Sequence, residues 1–69
     1  MSQHERILRY LEEFGSITAL EAVVDLGILQ LSARICELEK MGYKFTKTPV
    51  KSKNRYGDPV RFMRYARAA

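Results

Sequence analysis

Hydrophobic residues recur along this chain first at helical spacing and then, after Gly42, at strand spacing. Ile7, Leu8, Leu11 and Phe14 form one apolar stripe with Tyr10 on its flank, which predicts a helix over 3–14. Ser2 and Glu5, ahead of the stripe, have the spacing of a capping box: the Ser2 hydroxyl accepts from the Glu5 N–H, and the Glu5 carboxylate reaches back to Ser2. Gly15 ends the helix as a residue free to turn left-handed. Ser16-Ile17 has room only for a connector or a one-bridge strand, with Ile17 buried. A second capping box, Thr18 with Glu21, opens a short helix over 19–26 whose inner side is expected to carry Leu20, Val23 and Val24. Gly27 then allows a sharp turn into a third helix over 30–41, stopped by Gly42. Ile28, Leu31, Ile35 and Leu38 follow one face of it, Gln30, Ala33, Glu37 and Lys40 the opposite one, and Ser32 and Arg34 the margins.

From 43 to 66 the pattern reads as a hairpin, with Tyr43, Phe45, Phe62 and Tyr65 expected on the face that packs against the helices. Pro49 cannot donate to a ladder and therefore marks a bulge or an outer edge strand. Gly57-Asp58-Pro59 reverses the chain, Lys51 to Tyr56 is expected to be a mobile tip, and 67–69 to fray. The fold class is α+β, three helices followed by a two-stranded β-hairpin, in a single domain spanning 1–69.

Charge changes this picture because its distribution is lopsided. Up to Tyr43 four basic residues face seven acidic ones, a balance of −3; beyond it eight basic residues face Asp58 alone, a balance of +7. Such polarity suits a partner with a strong field of opposite sign, and a polyanionic backbone is the simplest. Enzymatic chemistry finds little footing. His4 stands at the start of a surface helix, Cys36 lies beside Glu37 and Glu39 instead of cations and is expected to be packed or half-buried, and Glu12 and Glu13 diverge on their helix. One cysteine and one histidine allow neither an internal disulfide nor a zinc set, no glycine-rich phosphate loop is present, and no cofactor is implied. No run is apolar enough to span a bilayer, and Met1 to Glu5 lead straight into a polar helix start, so no signal peptide is expected and a cytoplasmic location is.

Helix, turn at Gly27, helix, then Leu38-Glu39-Lys40-Met41-Gly42-Tyr43 leading into a hairpin with a basic Asn54-Arg55-Tyr56-Gly57 tip resembles a winged helix-turn-helix domain. Leu31-Ser32-Ala33-Arg34-Ile35 with the later Val50 to Gly57 segment is similar to short helix-turn-helix proteins of phages and prophages. The resemblance covers about 6–65. It departs at Val23, four residues before the turn glycine, where the pattern carries a very small residue; a wider crossing of the two helices would follow. It implies sequence-specific binding of double-stranded DNA by a small transcriptional regulator, with the third helix in the major groove and the hairpin as a wing on the backbone.

On that reading Gln30 and Arg34 are the base readers, pairing with adenine and guanine, and Ser32, Ala33 and Glu37 complete the helix surface. Arg34 and Glu37 are also spaced for an ion pair. Lys51, Lys53, Asn54, Arg55 and Tyr56 form the wing contact, with Tyr56 on a sugar or closing its own strand; Lys44, Lys47, Arg61 and Arg64 are secondary phosphate contacts. A protein-interaction adaptor or antirepressor, an excisionase-like architectural DNA binder and a homodimer stay open, since one fold serves several functions.

Overall fold

The computed structural model describes residues 2–68. Helix α1 spans Gln3–Phe14, strand β1 Ile17–Thr18, helix α2 Ala19–Glu21 with a π-helical continuation Ala22–Leu26, helix α3 Leu31–Lys40, and strands β2 Phe45–Lys53 and β3 Pro59–Arg67. The strands form one antiparallel sheet in the order β1-β3-β2. The architecture is three helices followed by a hairpin, to which β1 adds a short third strand through Ile17 opposite Tyr65.

The caps form where the spacing places them. Thr18 and Glu21 make both halves of a capping box, at 3.3 and 2.9 Å. At α1 the Ser2 hydroxyl accepts from the Glu5 N–H at 3.2 Å, but the returning Glu5 carboxylate meets that hydroxyl and not the Ser2 backbone. Ile7, Leu11, Ile17, Ala22, Ile28, Leu31, Ile35 and Leu38 are buried, and Tyr43, Phe45 and Tyr65 pack against them from the sheet. The α3 stripe thus lies inward as its periodicity predicts.

Two apolar groups do not follow expectation. Tyr10 is in the core, while Phe14 is 63% exposed and lies over the Tyr10 ring at 4.6 Å between centroids. The reason is chemical: the Tyr10 hydroxyl donates to the Asp25 carboxylate at 2.6 Å, so a side chain with a polar end is the one drawn between α1 and the second helix. That bond, with partial desolvation, pushes the Tyr10 hydroxyl up to about 12.

The second helix also turns its apolar residues out. Leu20 and Val24 are 72% and 71% exposed and Val23 is exposed as well, while Ala22 is fully buried. The cause is the π-helical stretch. It places one more residue per turn than an α-helix, so the very small residue expected four positions before Gly27 stands five before it, at Ala22. The Gly27 N–H reaches both Ala22 and Val23 carbonyls, and the Ile28 N–H closes on Ala22 at 2.9 Å, with Gly27 at φ 70°. A side chain larger than Ala at 22 would push the second helix off its neighbours; Val23 stands outside that contact, and the wider crossing expected from it loses its premise.

In the hairpin, register runs unbroken from Phe45 opposite Arg67 to Lys53 opposite Pro59. Pro49 sits on the edge strand β2 without a bulge, Lys51–Lys53 belong to the strand and not to a mobile tip, and Phe62 is 39% exposed because, three residues before Tyr65, it stands on the opposite face of β3 from the core. Arg67 closes β3 and the Ala68 N–H donates to Lys44 O at 2.8 Å, so the expected fraying finds no support at either residue; Ala69 lies outside the described residues.

Leu38→Ala removes a fully buried side chain and is expected to cost about 2 to 5 kcal/mol, read as a lowered denaturation midpoint. Deleting Val24 should convert the π-helical stretch to α-helix with little change in melting temperature. Deleting Cys36, also exposed, rotates Leu38 off the α3 stripe and should abolish the cooperative transition.

Candidate nucleic-acid interface

The outward row of α3 is Ser32, Cys36 and Lys40, all exposed at i, i+4 spacing, with exposed Gln30 immediately before the helix. Gln30 occupies the N-cap position but its side chain makes no capping bond. Ala33 is half-buried. Cys36, expected to be packed or half-buried, is exposed: the burial of Leu31, Ile35 and Leu38 turns it outward. The apolar character of its thiol suggests packing for Cys36, whereas its offset from the buried stripe places it outward.

Arg34 and Glu37 lie on the flank turned toward α1. Arg34 Nε is 3.0 Å from one Glu37 oxygen and Nη2 donates to the other at 3.2 Å, while Nη1 donates to Gln3 at 3.4 Å. His4 Nε2 meets Glu37 at 2.7 Å from the α1 side. The His4 hydrogen bond, aided by the charges of Arg34 and Lys40 and opposed by partial desolvation, holds the Glu37 carboxyl below its ordinary 4.5. Because this pKa is lowered on folding, the contribution of the cluster to stability is present above pH 4.5 and is lost as pH falls through the folded value. The cluster ties α1 to α3 and occupies both Arg34 and Glu37.

The wing separates occupied cations from free ones. Lys47 pairs with Glu39 of α3 at 3.2 Å, and Arg64 donates to Ser16 at 3.0 Å and lies 3.5 Å from Glu21. Arg67 sits over the Tyr43 ring at 5.0 Å. Lys44, Lys51, Lys53, Arg55 and Arg61 are exposed. Side chains directly opposite in a ladder share a face, and alternate residues along a strand return to it. Lys51 opposite Arg61 therefore shares the face of Lys47 and Tyr65, the side from which Lys47 reaches α3. Asn54 builds the tip: its side-chain Oδ1 accepts from the Tyr56 and Asp58 N–H groups at 2.9 and 3.0 Å, and Gly57 takes φ 81° to complete the turn. Tyr56 projects from that turn, 83% exposed, and does not close on its own strand.

Between the start of α3 and the wing lies an open cleft of about 410 Å³, lined by Leu29, Gln30, Ser32 and Ala33 on one side and Phe62, Met63 and Tyr65 on the other. Leu29, which sequence reasoning passed over, is 81% exposed at its rim. No group of three metal-ligating side chains occurs among the described residues, and no helix there is long and apolar enough to cross a membrane.

A helix pair joined at Gly27, with its second helix exposed on one side and flanked by a projecting basic hairpin, defines a winged helix-turn-helix. A family model described as a winged helix-turn-helix domain matches residues 2–68, and the chain belongs to that family, whose fold is built to present a helix to DNA. Comparison with curated proteins and with solved structures gave no match.

Glu37→Gln should loosen Arg34 and remove a charge that repels phosphate. Affinity for any duplex is then expected to rise and the slope of log K against log salt to steepen by about 1, measured by fluorescence anisotropy.

Proposed function

We propose that this domain is a sequence-specific binder of double-stranded DNA acting as a small transcriptional regulator of the phage type, with α3 in the major groove and the wing on the flanking backbone. The observation that carries the reading is the Lys51–Arg61 pair. Like charges directly opposite in a ladder destabilise a hairpin, and here two cations face each other on the α3 side, with Lys53 beyond them on the same face. A phosphate between them turns that repulsion into two charge-assisted contacts.

The assignment of roles follows what each side chain has free. Gln30 is suited to pair with adenine, Ser32 to meet a base edge or phosphate, and the small Ala33 and Cys36 to let the helix approach closely. Arg34 becomes available to guanine only by leaving Glu37 and Gln3, and Glu37 serves to hold it. Lys51, Lys53, Arg55 and Arg61 supply phosphate contacts, with Lys44 secondary and Tyr56 on a sugar. Asn54 shapes the tip, and Lys47 and Arg64 brace the sheet. A protein-adaptor role draws support from a different feature, the exposed Leu20 and Val24 on the second helix.

Binding to arbitrary duplex DNA is expected with a Kd of roughly 10⁻⁴ to 10⁻⁶ M at physiological salt, and DNA should slow alkylation of Cys36 on the outward row of α3. Lys51→Ala with Arg61→Ala should lower the magnitude of the salt slope by about 2 on every sequence without lowering the melting temperature. Salt-indifferent binding, or Cys36 alkylated at the same rate with and without saturating DNA, would overturn the reading.

A further inference from the structure

Leu29 stands out as a large aliphatic side chain left 81% in water at the point where the chain enters α3. It belongs neither to the core nor to the apolar side chains packed against it. Its neighbour Ile28 is buried and Gln30 is exposed, so Leu29 projects from the leading end of the helix. On its two sides lie the cleft toward the wing and a smaller one of about 260 Å³ toward α1, lined by Gln3, Gly27, Gln30 and Arg34. Leu29 is therefore the ridge between two concavities, flanked by the amide of Gln30.

We infer that Leu29 is a specificity-determining residue that reads the C5 methyl group of a thymine, an inference that rests on the docking of α3 in the major groove proposed above. The residues that lead a recognition helix are the ones that meet base edges. Every feature on those edges is a hydrogen-bond donor or acceptor except the thymine methyl, which is the single apolar feature of the groove. A leucine cannot satisfy a donor or acceptor, and it leaves any polar edge it covers unpaired. Against thymine it buries its own exposed surface and the methyl together, and cytosine at the same place offers no methyl and presents an amino group without a partner. Gln30 beside it makes no capping bond and has its amide free for an adjacent adenine.

The test uses a duplex enriched by the protein from a random pool, with each thymine replaced in turn by deoxyuridine, which removes the methyl group and nothing else. One replacement should weaken the parent about fourfold, the factor carried by one buried methyl group. Leu29→Ala should weaken binding to the thymine duplex by a similar factor and lose all discrimination at that position, whereas Leu29→Met, which keeps an apolar end, should retain it. Leu29→Ala removes little buried surface, and a circular dichroism melt confirms its fold. The inference is overturned if the enriched duplex binds tightly but no thymine position loses its deoxyuridine effect in Leu29→Ala, or if Leu29→Ala binds the thymine duplex like the parent. Failure of the parent to bind any duplex at low salt overturns the DNA reading itself, and the inference with it.

Discussion

The close approach of the second helix at Ala22 is the constraint on which the rest of the structure depends. A chain of this length has only one small interior, and three helices and a sheet must all reach it. Ala22 lets the second helix come near enough for Ile28, Leu31, Ile35 and Leu38 of the following segment to meet Ile7, Leu11 and Ile17. Tyr10 to Asp25 and Arg6 Nη1 to Leu26 O, at 2.6 and 3.4 Å, then hold α1 against that helix at its other end. These contacts set which face of α3 turns outward, and the hairpin is held in turn by the pairing of β1 with β3 and by Lys47 to Glu39.

Charge is sorted by the same packing. Three acids that stand near α3 and the sheet are met by a cation or a ring nitrogen: Glu37 by Arg34 and His4, Glu39 by Lys47, Glu21 by Arg64. Exposed ion pairs of this kind add little stability individually. Their consequence is electrostatic shape, because the acids are neutralised where DNA would come closest and the excess of cations is left along the outer wing. The uneven balance along the chain thus becomes an uneven surface.

Much of the fold could be read from the residues in order. Thr18 and Glu21 cap the second helix, Gly15, Gly27 and Gly57 take left-handed backbone, and the α3 stripe is buried at every predicted position. These features are local: a cap, a turn or a helical period involves residues within one or two turns of each other, and their physics is complete at that range. The failures have a common origin too. Leu20, Val23 and Val24 turn outward because a π-helical turn shifts the period of their segment, and Tyr10 takes the core place ahead of the more apolar Phe14 because its hydroxyl reaches Asp25. In the candidate interface, Gln30 and Ser32 are legible as exposed helix-start residues, while Leu29 carries no charge or amide that marks it and Cys36, being weakly polar, reads as packed or half-buried.

By itself the sequence determined the order of the helices and the hairpin, the buried face of α3, the class of fold and the concentration of positive charge after Tyr43, because each depends on residue identity and short-range periodicity. Tertiary structure alone decided which cations are free. Whether Arg34 is held toward α1 by Gln3, whether Arg64 or Arg61 is available, and whether Lys51 stands opposite another cation are settled by partners 10 to 48 residues away. Electrostatic energy depends on distance and solvent exposure, and for residues so far apart along the chain only the folded packing sets either.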